Sequence, residues 1–349
     1  MKMSFRWYGK QDSIPLEYIK QIPNMNGIVS AVYDVPPGEA WPEESIQELY
    51  REISAAGLEF KVVESVPVHE DIKLGLLNRD TYIDNYILTM ERLAKIGIEV
   101  ICYNFMPVFD WTRTQLDKEL EDGSTALVYY QEQLKRMDPV HNDLSLPGWD
   151  TSYTREELQE LIRQYQELGE EGLWNNLEYF LARVIPAAEK HGIKMAIHPD
   201  DPPWSIFGLP RIITNEHNLD RFLNLYESEA NGITLCSGSL GCTKDNDIVK
   251  LAAKYTQLNR VPFVHLRNIK ILANGDFEES AHFSTCGSLD MAAIMKALHD
   301  NGFTGYVRPD HGRMIWGETG KPGYGLYDRA LGSMYLSGIW ETLEKSGGK

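Results

Sequence analysis

Four residues in the second half of the chain carry metal-binding side chains, and each sits at or near the end of a short apolar run. They are His198 in AIHPDD, Cys236 in TLCSGS, His265 in FVHLRN and Asp310 in VRPDHG. Two imidazoles and a thiolate are good ligands for Zn or Fe(II), and a carboxylate also suits Mn. None of the four is informative alone. A lone strand cysteine is more often a small buried hydrophobe, and a histidine or aspartate at a strand end often does no more than pack. Their spacing joins them, because successive members lie 38, 29 and 45 residues apart, each about one strand-plus-helix unit.

Residues able to move protons stand beside this set. His311 directly follows Asp310, and Tyr324 lies in GKPGYG, a glycine-rich loop able to close over a site. A base and an acid on opposite sides of a metal-bound substrate are what an elimination requires. The plainer alternatives are that His311 only orients Asp310 and that Tyr324 only packs its loop. Arg267, Arg308 and Arg313 flank the same strand ends and are candidates for holding a substrate carboxylate. Ion pairs with the many acidic residues are their structural alternative. Trp7, Asn104, Trp111 and His282 are further candidates for the pocket wall, although periodicity does not position them. Cys102 is expected to pack, and Cys242 and Cys286 have no neighbours that suggest redox chemistry.

The elements that must position these residues are readable. β-Branched or aromatic runs fall at 3–8, 27–34, 59–66, 98–106, 193–199, 232–237, 261–267 and 304–310. Several are almost continuously apolar, as strands buried on both faces should be. Helical stripes separate them. Ile46, Leu49, Tyr50 and Ile53 form one, with Pro42 suited to its first position, and Tyr82, Tyr86, Met90 and Leu93 form a second. Thr154 with Glu157 reads as a capping box, and Met291, Ile294, Met295 and Leu298 form another stripe. Strand and helix alternating eight times predict an α/β fold, the (β/α)8 TIM barrel. The four metal-capable residues then end strands five to eight, side by side at the mouth where barrel active sites are built.

The chain has 349 residues, more than the roughly 250 of a plain barrel. The surplus falls mainly at 107–153, read as an insertion on the fourth βα loop within a single catalytic domain, 1–349. Lids and specificity elements sit on such loops. A surface excursion or dimer contact is the alternative. A doubly wound sheet would need a phosphate-binding glycine loop, and no G-x-G-x-x-G follows the early strands.

The formal net charge of −17 argues against nucleic acid and against anionic membranes as partners. A small anionic substrate would need a local cation, such as a metal or clustered arginines. The start of the chain lacks an apolar signal segment, and no run is long enough to span a membrane. Four cysteines without a paired pattern fit a reducing, cytoplasmic compartment.

Over nearly its full length the sequence resembles the mannonate dehydratase family. The carrying segments are MSFRWYG, AIHPDDPPWSIFGLPRI, GITLCSGSLG, FVHLRNI, GSLDM and VRPDHGRM followed by GYGLYDRALG. The resemblance implies a xylose-isomerase-like barrel that converts D-mannonate to 2-keto-3-deoxy-D-gluconate and water, in hexuronate breakdown, with Mn2+ or Fe2+. It carries ligand roles onto His198, Cys236, His265 and Asp310, and proton transfer onto His311 and Tyr324. With the insertion, it also suggests a homodimer. Segment 107–153 is not matched motif by motif, which leaves contacts such as Trp111 open. A sugar isomerase on the same barrel is the alternative enzyme, disfavoured by a cysteine among the ligands. A non-catalytic sugar-acid-binding protein would need neither the ligands nor the His311–Tyr324 pair.

Overall fold

The computed structural model describes residues 1–137 and 153–346. Each of the eight apolar runs overlaps one strand of a closed parallel barrel, the first and sixth strands each starting one residue earlier than the run. They are β1 (Lys2–Arg6), β2 (Gly27–Ser30), β3 (Glu59–Glu64), β4 (Val100–Tyr103), β7 (Lys194–Ile197), β8 (Asn231–Cys236), β9 (Phe263–Leu266) and β12 (Tyr306–Pro309). Four further strands, β5 (Gln115–Glu119), β6 (Thr125–Tyr129), β10 (Asn268–Ile271) and β11 (Phe277–Ser280), lie outside the barrel. Around the barrel the order is β1–β12–β9–β8–β7–β4–β3–β2, returning to β1.

The strands are mostly apolar because both of their faces are covered, with charged residues confined largely to their ends. Val29, Val62, Val100, Cys102, Ala196, Phe263 and Tyr306 form one buried cluster, Cys102 among them as expected. The larger cluster joins strand residues such as Ile101, Ile197 and Val264 to helix residues such as Phe180 and Leu298. Register sets up the mouth. Cys236 pairs with His265, which pairs in turn with Arg308, so three functional side-chain types arrive at one level.

The helices follow their stripes. Ile46, Leu49 and Ile53 are buried on Glu43–Ala55, but Pro42 is the cap residue with ψ 140, not the first helical residue. Its extended ψ directs the chain into the helix from outside. On Arg79–Lys95, Tyr86, Met90 and Leu93 are buried, while Tyr82 is half-buried and stacks on His69. Thr154 and Glu157 form the capping box of Arg155–His191, a helical stretch interrupted at Gly169, where φ is 65. Among the described residues no helix is long and apolar enough to cross a membrane.

The four remaining strands make an antiparallel sheet in the order β10–β11–β6–β5. The β5–β6 hairpin follows β4, and the β10–β11 hairpin follows β9, so two distant βα connections fuse above the barrel through β11 and β6. The expected insertion 107–153 supplies the first hairpin, and its residues 138–152 lie outside the described residues. The second hairpin is an addition that the sequence reading did not anticipate.

A buried ion-pair cluster ties these connections together. Arg113, just before β5, bonds Asp201 with both terminal nitrogens, at 2.8 and 3.1 Å, and Glu279 on β11 at 2.8 Å. All three side chains are almost wholly excluded from solvent. Removing one member of a buried pair leaves uncompensated charge and typically costs about 3–5 kcal/mol. Arg113→Met is therefore expected to lower the unfolding free energy by about that amount in urea titrations. An unchanged midpoint would mean that the three connections do not depend on this contact.

Candidate active site

Barrel closure brings the four strand-end residues together. His198 and Asp310 are the first residues past β7 and β12, Cys236 ends β8, and His265 lies within β9. Donor atoms of His198, Cys236 and His265 all lie within 4.8 Å of one another. His198 Nε2 is 3.1 Å from His265 Nδ1, and Asp310 Oδ2 is 3.6 Å from Cys236 Sγ. The donors suit a divalent ion chemically, and ligands of one ion at about 2.0–2.3 Å lie roughly 3–4 Å apart. The 3.1 Å contact is a single N–H···N hydrogen bond, and a cation bound by both nitrogens would take the place of its proton. A second triad, Glu64, Cys102 and His265, is equally close, but two arginines already neutralise its Glu64.

The charges around this set are organised by arginines. Arg308 grips Glu64 at 3.0 and 2.9 Å and reaches Asp310 Oδ1 at 2.7 Å. Arg6 adds a 2.9 Å contact to Glu64. Arg267 lies 2.9 Å from Asp310 Oδ2 and 2.6 Å from Asp201, and it also pairs with Glu279. Burial alone would push the Cys236 thiol up, but Arg267 and hydrogen bonds from His198 and His265 hold it well below its ordinary value. Burial likewise opposes ionisation of Asp310, which Arg308 overcomes with help from His311, His265 and Arg267. Burial lowers the pKa of His198 and its bond to Cys236 raises it, with a net rise to about 9. Cys236 and Asp310 are thus held as thiolate and carboxylate, the forms that bind metal, whereas His198 has to give up its proton for a cation to bind.

A cavity of about 440 Å³ opens over this centre. Of the candidate residues, Asn104, Trp111, His198, Arg308, Asp310, His311 and Tyr324 line it. The Trp111 ring stands 5.8 Å from that of His311, edge to face. His311 Nε2 is 2.7 Å from Tyr324 Oη. At its other nitrogen, Nδ1, His311 faces Glu279 Oε1 at 3.4 Å, an arrangement that favours a proton on Nδ1 and a Tyr324 hydroxyl donating to Nε2. Burial and the nearby Asp310 charge push Tyr324 up to about 12, so it holds its proton at neutral pH. His311 and Tyr324 therefore form one hydrogen-bonded pair on one wall, not an acid and a base on opposite sides.

Four expected wall residues lie elsewhere. Arg267 is fully buried beneath the cavity, with its guanidinium taken up by Asp201, Glu279 and Asp310. Arg313 points away and ties Asp122, in the β5–β6 turn, to Asp328 at 2.6 and 3.0 Å. Trp7 is buried, donating from Nε1 to the Ile14 carbonyl at 3.2 Å. His282 is buried behind β9, its Nε2 3.0 Å from the Leu266 carbonyl oxygen. Arg267 thus supports the centre from beneath, while Arg313, Trp7 and His282 direct their side chains to other partners.

The structure also adds wall residues that the sequence reading passed over. Arg6, Tyr8, Glu64, Asp110, Asp201 and Lys321 all line the cavity. Arg6 and Glu64 end β1 and β3, so the strand-end rule used for strands five to eight would have found them. Asp201 adjoins His198 in HPDD, and Lys321 precedes Tyr324 in GKPGYG. A wider cavity of about 580 Å³, between Tyr129, Trp204 and Ile271, contains none of the candidate ligands.

The chain can now be compared with known proteins. It is 60% identical to a mannonate dehydratase of Streptococcus uberis over 346 residues, 99% of each chain. It is 57% identical to mannonate dehydratase 2 of Halalkalibacterium halodurans over 343 residues, 98% of this chain and 99% of the other. The crystal structure of mannonate dehydratase from Streptococcus suis superposes with a TM-score of 0.93 at 51% identity, covering 100% of this chain and 96% of that one. A xylose isomerase domain protein of Planctomyces limnophilus shares the fold, with a TM-score of 0.56 at 13% identity over 99% of each chain. The profile of D-mannonate dehydratase (UxuA) matches residues 1–348, and the chain belongs to that family.

Proposed function

We propose that this chain, a hydro-lyase by its family, removes water from D-mannonate to give 2-keto-3-deoxy-D-gluconate in the cavity above His198, Cys236, His265 and Asp310. The observation that carries the reading is identity to mannonate dehydratases along the whole chain, at 60% for the Streptococcus uberis protein. Those four residues would hold Mn2+ or Fe2+, which when bound supplies a Lewis acid for the substrate carboxylate and eases loss of the proton at C2. The alternative of a sugar isomerase rests only on fold, since the isomerase- and epimerase-like neighbours share no more than 14% identity.

The residues on the wall account for the proton movements. Loss of the C3 hydroxyl needs a proton, because hydroxide is a poor leaving group. Tyr324, protonated and at the cavity surface, is placed to give one. As Tyr324 gives its proton to the departing hydroxyl, His311 Nε2 is freed to take the proton from C2 and return it to the Tyr324 oxygen across their 2.7 Å contact. The C2–H and C3–O bonds break, water leaves, and both side chains return to their starting states. The resulting enol relaxes to the 2-keto acid. Because donor and acceptor share one wall, this reading favours removal of both groups from the same face of the substrate. Trp111 and Asn104 bound the space in which the sugar chain lies.

Three outcomes test this. The purified protein should form a 2-keto acid from D-mannonate, lose that activity to a chelator, and regain it with Mn2+ or Fe2+. Activity that survives exhaustive chelation would remove the metal from the account. Cys236→Ser and His265→Ala should each lose most bound metal by elemental analysis, and nearly all activity, while keeping the circular dichroism of the folded barrel. Full metal occupancy in both would reject the ligand set.

For the proton-transfer pair, Tyr324→Phe and His311→Asn should each retain metal and lower turnover by roughly 10²–10⁴. The double variant should be little worse than the more damaged single one, since residues acting as a unit are strongly non-additive. Multiplicative losses would show that the two act independently, on separate protons.

A further inference from the structure

Most cations in the cavity wall are already spoken for. Arg6 and Arg308 are paired with Glu64, and Arg308 also with Asp310. Lys321 differs. It lines the same cavity, and among the described residues its ammonium has neither a hydrogen bond nor an ion pair, only aromatic faces. Nζ sits 3.6 Å from the centroid of the Tyr8 ring and 5.5 Å from that of Tyr324. The position is held by the backbone. Tyr324 N donates to the Lys321 carbonyl at 2.9 Å, closing a turn through Gly323. At Gly323 φ is +78 and an added Cβ would come within 2.6 Å of Leu127 on β6. The turn that presents Tyr324 to His311 therefore presents Lys321 as well.

We propose that Lys321 is a specificity-determining residue that binds the sugar acid through its negative charge, with Tyr8 as the platform that holds the ammonium in place. This deepens the functional reading above and rests on it. An ammonium seated on aromatic faces keeps its donors and its charge available, whereas the charges of Arg6 and Arg308 are offset by Glu64 and Asp310. In a chain of net charge −17, an unneutralised cation at the mouth counters the field that repels an anionic substrate. The groups facing Lys321 bear on its charge. Lys321 is exposed overall, but desolvation of its ammonium at the cavity rim and the positive charges of Arg6 and Arg329 outweigh the attraction of Asp12, lowering its pKa to about 8. The charge that recognises the substrate is then present below about pH 8 and fades above it.

The test is steady-state kinetics of the Mn2+-loaded enzyme on D-mannonate, with Lys321→Met and Lys321→Arg. Lys321→Met is expected to raise KM about 10- to 100-fold, the worth of a charge-assisted hydrogen bond, while kcat changes by no more than about threefold. It should also lose the decline in kcat/KM that the wild type shows as pH rises through about 8. Lys321→Arg should recover most of the affinity without that decline. Metal content and thermal midpoint are measured on each variant. A KM within about twofold of wild type for Lys321→Met would overturn the proposal. So would a fall in kcat alone, which would make Lys321 a support for Tyr324. If the wild type forms no 2-keto acid, the functional reading fails instead. Calorimetric titration of wild type and Lys321→Met with D-mannonate would still decide whether the lysine binds it.

Discussion

Everything at the mouth of this barrel depends on keeping several anions ionised where water is nearly absent. Glu64, Asp201, Glu279 and Asp310 lie close together at the strand ends and on the sheet above them, and Asp201, Glu279 and Asp310 are buried. Desolvation alone would drive each carboxyl to its neutral form. Arg6, Arg113, Arg267 and Arg308 prevent this, each by direct contact with one or more of the four. Four guanidinium groups against four carboxylates leave the cluster neutral before the Cys236 thiolate is counted. A divalent cation at the ligand set would then make the centre singly positive overall, the complement of a sugar acid carrying one carboxylate.

The same network explains why the fold carries two extra hairpins. Arg113 comes from the connection after β4, Asp201 from the one after β7, and Glu279 from β11 in the one after β9. These partners can meet only if the connections are folded over one another, and the β6–β11 pairing does that. Arg267 passes the constraint inward, since it touches Asp201 and Glu279 on one side and Asp310 on the other. His311 rests against the same Glu279. The geometry of the ligands and of the proton-transfer pair is thus tied to loops that a bare barrel would leave independent.

The barrel and its cluster of candidate ligands were legible in the sequence for one reason. Parallel strands buried on both faces are written as apolar runs, and active-site residues terminate them. Applied to β7, β8, β9 and β12, that rule picked out the four residues that the structure brings together. Trp7 and His282 were offered as wall candidates without a position, and they are buried against the Ile14 and Leu266 carbonyls instead. Arg313 also lies off the wall, because it follows β12 on a loop that turns toward Asp122 and Asp328. Arg113 and Glu279 had no readable signal at all. Their sheet is built from short charged strands such as QLDKE and FEES, whose pattern resembles ordinary surface loop. The expectation of acid and base on opposite sides was chemical in origin, and only coordinates could show His311 and Tyr324 in contact.

These buried arginines hold one specific set of anionic and imidazole donors in place for a single cation. Anomalous scattering at the Mn and Fe absorption edges, from crystals of the metal-loaded protein, tests it directly. The expected result is one strong peak within bonding distance of His198, Cys236, His265 and Asp310, with Glu64 still paired to Arg6 and Arg308. A peak centred instead on Glu64, Cys102 and His265, with those arginines displaced, would contradict the account.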